Sequence, residues 1–184
     1  AKDFLAQFSN ESIEVKGEGL DKYKRTLANL YTKDSIYINL EIVKKGYAKK
    51  FLVDKKELKK FSEAEAQAIE NELGLWKKSQ YFNCFQSQIN YQDEVVTLTN
   101  TCDPINIQDW QLQEEGRKKY IFRNLSITQI NIHTKNGKNN ETDLFWEEKN
   151  IWNNDRDTLY LFDASGNLAN YHPYGYDSSF FGSS

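Results

Sequence analysis

Asp21-Lys22-Tyr23-Lys24-Arg25-Thr26-Leu27-Ala28-Asn29-Leu30-Tyr31 sets three cations directly before a run that alternates like a β-strand. A guanidinium fixed at a strand start suits phosphate recognition, because its planar fork donates two hydrogen bonds to one anion. The same residues also make a solvated hairpin entry, and at this point both readings stand.

Outward from this stretch the pattern is that of a small mixed α/β unit. Phe4, Leu5 and Phe8 have helical spacing, which predicts a short amphipathic helix over residues 2–9. Ser12 to Val15 reads as a strand and Lys16-Gly17-Glu18-Gly19 as a turn. Leu27 to Thr32 is the next strand, closed by a Lys33-Asp34 turn. Asn39 then has the character of an N-cap. Ile38 and Val43 have the spacing of a hydrophobic staple, and Gly46 suits the first position past the helix. Tyr47 to Val53 is expected to return as a strand. Ser62 and Glu65 have capping-box spacing for a third helix, with Ile69, Leu73 and Trp76 as its buried stripe and Gly74 near its end.

The DKYKR-T-LANLY block resembles the DKYGR-x-LAY-x-Y segment of the thermonuclease family, the staphylococcal-nuclease-like domains. The resemblance continues through Tyr37-Ile38-Asn39-Leu40-Glu41-Ile42-Val43-Lys44-Lys45-Gly46-Tyr47-Ala48 to Gly74-Leu75-Trp76, and so covers roughly residues 1–79. It implies the later part of an OB-fold with three helices. It implies a catalytic role for Arg25, steadying charge on the attacked phosphate, with Lys22 and Tyr23 near a terminal phosphate. The family glycine before the arginine is Lys24 here, and Leu52 and Asp54 stand where base-stacking tyrosines are found. The family also has three earlier strands carrying calcium-binding aspartates, another arginine and a glutamate general base. The expectation is therefore a fragment of a longer, calcium-dependent nuclease acting on DNA or RNA, inactive alone. Its missing strands would come from the full-length chain or another copy. The alternative is a degenerate domain serving a non-catalytic cell-surface adhesion or scaffold module.

The whole chain has 184 residues, a net charge of −3 and 39% hydrophobic residues, room for one large or two small globular domains. That charge excludes a broadly basic nucleic-acid coat but not a local basic site. Lysines 44, 45, 49, 50, 55, 56, 59 and 60 either track a phosphate backbone or form a solvated face balanced by Glu57, Glu63 and Glu65. No apolar run reaches the roughly 18 residues of a membrane span. The first residue is Ala and Met is absent. A mature, proteolysed or recombinant piece is expected, so the lack of a signal peptide carries little weight.

At residues 77–81 the composition turns from helix formers to β-branched and aromatic residues. Tyr81 to Asn90 and Glu94 to Asn100 read as a hairpin turning at Tyr91-Gln92-Asp93. Ile107 to Gln113, Lys119 to Phe122, Ser126 to Thr134, Thr158 to Asp163 and Asn167 to Tyr171 follow, about seven short strands in all, as in a β-sandwich. Such a hairpin places Cys84 opposite roughly residue 99, within reach of Cys102, so a disulfide is expected. It would stabilise by about 3 kcal/mol and implies export from the cytoplasm. Asn153, Asn154, Asp155, Asp157 and Asp163 offer oxygen ligands, but the spacing is not an EF-hand loop and these residues favour turns. Trp110 and Trp152 read as core anchors rather than ligand platforms. His133 and His172 lack partners at zinc-ligand spacing. Tyr174, Tyr176, Phe180 and Phe181 would make an interaction patch if exposed.

Glu94–Asn100, Ile107–Leu112, Lys119–Phe122 and the Trp152-Asn153-Asn154-x-x-Asp157 run through Gly166 resemble successive strands of the lamin tail domain over residues 82–176. That resemblance implies an immunoglobulin-like β-sandwich. Such domains accompany hydrolases in secreted microbial proteins, with an attachment or binding role and an unknown cell-surface ligand. The expected organisation is α+β, then all-β: a nuclease-like part over 1–79, a sandwich over 80–176 and a tail over 177–184.

Overall fold

A computed structural model describes the chain except for Lys22, Leu52, Arg117, Asn124 and residues 177–184. The described residues divide into two units, one holding Ala1–Trp76 and one beginning at Lys77. The first mixes helices with a two-stranded sheet, and the second consists mostly of strands. Among the described residues no helix is long and apolar enough to cross a membrane.

In the first unit, α1 (Lys2–Ala6) ends short of the expected Ser9 and buries Phe4 against Phe8 and Tyr47. Strand β1 (Ile13–Leu20) runs straight through the Lys16–Gly19 stretch expected to turn, paired antiparallel with β2 (Thr26–Thr32). The glycines serve a bulge instead. The register passes from Gly17↔Ala28 to Gly19↔Leu27, leaving Glu18 as the extra residue, and Gly19 sits at φ +123°. Only glycine takes that conformation without strain.

Helix α2 (Ile38–Lys44) has Tyr37 at its N-cap, so Asn39 lies inside the first turn. Its amide is committed elsewhere. Oδ1 accepts the Leu30 N–H at 2.9 Å, and Nδ2 donates to the Ala28 carbonyl at 3.1 Å. One side chain thus satisfies two backbone groups of β2 that a neighbouring strand would otherwise pair. The helix ends as expected at Gly46. The Gly46 N–H reaches the Val43 carbonyl and the Tyr47 N–H the Ile42 carbonyl, a Schellman closure with Gly46 at φ +68°.

Residues 47–53 form no strand among the described residues, contrary to expectation. The Lys50 N–H goes to Glu65 Oε1 at 3.0 Å and its ammonium to Oε2 at 2.5 Å, so the segment is tied to a helix and not to a sheet. That helix, α3 (Leu58–Glu70), begins before the supposed capping box, and Ser62 and Glu65 are interior and buried. Its end is set by Glu72 at φ +55°, which turns the chain so that Leu73 leaves the apolar stripe and stays exposed, while Ile69 and Trp76 are buried. Val43, Phe61 and Ala64 form the small core with Tyr37, Leu40, Ala48 and Val53 around it. Gly46 and Gly74 touch: the Leu75 N–H donates to the Gly46 carbonyl at 2.8 Å, just before the 3-10 turn ends at Trp76.

The second unit contains β3 (Phe85–Asn90), β4 (Val95–Asn100), β5 (Ile105–Asn106), β6 (Gln111–Gln113), β7 (Lys119–Ile121), β8 (Ser126–Ile127), β9 (Gln129–His133), β10 (Asp143–Phe145), β11 (Asp157–Phe162) and β12 (Leu168–Tyr174). They make two four-stranded sheets, ordered β10-β9-β4-β3 and β12-β11-β6-β7, and the short pair β5-β8. Inward residues of both large sheets share one core, Val96, Leu98, Ile130 and Ile132 from one and Leu112, Leu159 and Leu161 from the other. Trp110 and Trp152 are buried in it. Strand β10, parallel to β9, was missing from the expected set because three residues are too few to show alternation. The hairpin register pairs Phe85 with Asn100, so Cys84 faces Thr101 and not residue 99. Cys84 and Cys102 form a disulfide with a Cα–Cα distance of 5.2 Å.

Candidate functional site

Between β1 and β2 the chain turns through residues 21–25, and Asp21 organises that turn. Asp21 Oδ1 accepts the N–H of Tyr23 at 2.8 Å and of Arg25 at 2.9 Å. Oδ2 lies 2.7 Å from Arg25 Nε and 2.6 Å from Arg25 Nη2. The Arg25 backbone and side chain, with the Tyr23 N–H, hold the Asp21 carboxyl below the usual carboxylate range against a smaller effect of desolvation. The guanidinium stacks over the Tyr23 ring at 5.3 Å. Lys24, where the resembled family has glycine, adopts φ +62°, a conformation that glycine takes more readily than lysine.

Of the residues singled out from sequence, Tyr23 and Arg25 come together here and both are exposed, while Lys22 lies outside the described residues. Arg25 therefore faces a protein carboxylate. Two shallow depressions of the surface, one bordered by Lys44 and Lys45 and one by Gln86, Gln88 and His172, include neither Arg25 nor Tyr23. Asp21 was missed; its i,i+4 spacing to Arg25 was the available signal.

Behind the turn, Tyr37 connects the strands to the helices. Its hydroxyl lies 2.8 Å from both Glu57 Oε2 and Asn29 Oδ1, and the Asn29 amide donates to Glu18. Burial, then the Glu57 carboxylate, pushes the hydroxyl well above the ordinary tyrosine range, so it keeps its proton and serves as a brace.

The lysine run is not one cationic face. Lys50 is buried against Glu65, Lys44 lies 3.9 Å from Glu41 and Lys60 lies 3.8 Å from Glu57. At least Lys50 is withdrawn from any phosphate track.

In the second unit the Asn and Asp cluster is a structural bracket. Buried Asp157 accepts the N–H groups of Glu115 and Thr158 on Oδ1, and the N–H and side-chain amide of Asn153 on Oδ2. This accounts for the spacing of Asn153 and Asp157 within that cluster. Burial pushes the Asp157 carboxyl up to about 6 even so. Asp163 accepts the N–H groups of Ser165 and Asn167, and Asp155 pairs with Arg156. Tyr174 donates to the Asn153 carbonyl and Tyr176 to Glu115, so neither is the bare patch envisaged, and Phe180 and Phe181 lie outside the described residues. His133 Nε2 lies 2.7 Å from Asp143 Oδ1, and His172 Nδ1 lies 2.8 Å from the Ser87 carbonyl. Among the described residues no three His, Cys, Asp or Glu side chains gather to hold a metal ion. The calcium implied by the nuclease resemblance has no ligand set among those residues.

Residues 1–78 match the family model described as Staphylococcal nuclease homologue. A Bacillus subtilis (strain 168) protein named Endonuclease YhcR is 28% identical over 82 residues, which is 42% of this chain. The match spans 7% of that relative's length. The N-terminal unit is thus similar to nuclease domains in sequence, and it carries the Asp21–Arg25 turn described above.

Proposed function

We propose that this chain is part of a secreted or cell-surface nuclease that hydrolyses phosphodiester bonds of DNA or RNA. The observation that carries this reading is Arg25, held in the DKYKR turn of a segment similar to staphylococcal nuclease homologues. Attack on a phosphodiester concentrates negative charge on the non-bridging oxygens. A guanidinium already in place stabilises that charge without reorganisation. Lys22 and Tyr23 would flank a terminal phosphate. Water activation, and the calcium dependence expected of the complete site, belong to residues outside this chain. The unit from Lys77 onward serves as a lamin-tail-like, immunoglobulin-like sandwich for attachment or binding. Its disulfide supports residence outside the cytoplasm.

The purified chain is expected to bind single-stranded DNA with an affinity that falls steeply with salt, and Arg25→Ala should lower that salt slope by about one. With calcium added, it should leave DNA intact. Cleavage by the chain alone, abolished by Arg25→Ala, would refute the assignment of water activation to residues elsewhere. Salt-insensitive binding to a cell-wall polymer, without DNA binding, would instead favour a non-catalytic adhesion module.

A further inference from the structure

We propose that Asp21 is a positioning residue for Arg25, fixing its guanidinium so that the opposite edge is offered to a nucleic-acid phosphate. The proposal rests on the phosphodiester reading above. One Asp21 oxygen holds the backbone of Tyr23 and Arg25, and the other faces Nε and Nη2 of the Arg25 side chain. A single carboxylate therefore sets both where the Arg25 backbone turns and where its side chain lies. The Tyr23 ring limits the guanidinium on one face. Among the described residues no acceptor meets Nη1, and the side chain is 63% exposed. What remains open is a donor edge of known orientation.

Two effects of Asp21 on a polyanion oppose each other. As a negative charge it repels the ligand, and in water that repulsion is weak and screened by salt. As a clamp it removes rotamer freedom from a long side chain before the anion arrives, so less is lost on binding. The bonds to Arg25 are short and come from both backbone and side chain, and the clamp therefore wins. The two effects predict opposite signs for removal of the carboxylate, which makes the inference testable.

The test uses the full 184-residue chain. A fluorescein-labelled single-stranded oligodeoxynucleotide is titrated by anisotropy at low salt against wild type, Asp21→Asn, Arg25→Ala and the double variant. Asp21→Asn keeps a carbonyl oxygen for the two backbone N–H groups but supplies no anionic oxygen to the guanidinium. It separates the clamp from the turn, and hydrogen exchange of the β1–β2 amides checks that the hairpin persists. The expected result is a Kd weaker by about threefold to tenfold for Asp21→Asn, the range set by ordering one long side chain. In the Arg25→Ala background the same change should have no effect or tighten binding slightly. Equal or tighter binding by Asp21→Asn, with Arg25→Ala still weakened, overturns the role of Asp21 alone. Undiminished binding by Arg25→Ala overturns both this inference and the reading it rests on.

Discussion

Replacing Lys50 by Met should loosen the helical unit far more than a surface lysine change would. The Lys50 ammonium lies 2.5 Å from Glu65 Oε2, and the two side chains are only 2% and 4% exposed. Deleting one partner of such a pair leaves a carboxylate in a poorly solvated place, at a cost of about 3–5 kcal/mol. Lys50→Met/Glu65→Leu removes both charges. It also removes the bond from the Lys50 N–H to Glu65 Oε1 at 3.0 Å, a loss costing about 1–3 kcal/mol. The double variant should thus be more stable than Lys50→Met. Native-state hydrogen exchange of the α3 amides reads the helical unit without assuming that both units unfold together. Exchange should quicken by a hundredfold or more in Lys50→Met, since about 1.4 kcal/mol is tenfold. A change below roughly 1 kcal/mol in Lys50→Met, or a double variant weaker than the single, would refute the reasoning from buried charge.

Other consequences are as direct. Cys84→Ser/Cys102→Ser should destabilise the strand-rich unit by about 3 kcal/mol, read as a lower Tm in its calorimetric transition. A Cβ on Gly46 would meet the Leu73 carbonyl oxygen at 2.1 Å, and one on Gly74 the Gly46 carbonyl oxygen at 2.2 Å, both at positive φ. Alanine at either position should cost about 2–5 kcal/mol by urea unfolding, and the two costs should not add, because the glycines contact each other. Asp157 is raised from 3.8 to about 6, so the folded state holds its proton more tightly than the unfolded chain does. Stability from this group is greatest below pH 4 and falls by about 3 kcal/mol as pH rises through 6. Asp157→Asn should flatten that slope whatever its constant offset, and an unchanged slope would show that Asp157 is not its source.

What could be read from the sequence depended on whether a periodic pattern or a turn brings the interacting residues together. The Gly46 helix stop, inward Ile130 and Ile132, and the hairpin of β3 with β4 follow from periodic or turn-forming residues and proved correct, the hairpin with its register moved by two, and the Cys84–Cys102 bridge follows from that hairpin although its ends are 18 residues apart. Asn39 and Glu65 carry the composition of helix starts yet bind backbone elsewhere, and Ser62 is buried inside its helix. The backbone N–H groups of Leu30 and Lys50 claim Asn39 and Glu65, and no hairpin or helical period relates those partners. Gly17 and Gly19 looked like a turn because a bulge and a turn ask for the same backbone freedom. Arg25 stands out as a cation before a strand, whereas Asp21 has the composition of an ordinary turn residue, and only the folded turn brings its carboxylate onto the guanidinium.

Asn39 and the returning backbone at Ile36 and Tyr37 together seal the side of β2 that faces away from β1. The hairpin is therefore polar in its capacity to grow. A newcomer pairing beside β1 would meet the Gly19 irregularity and have to accommodate its kink.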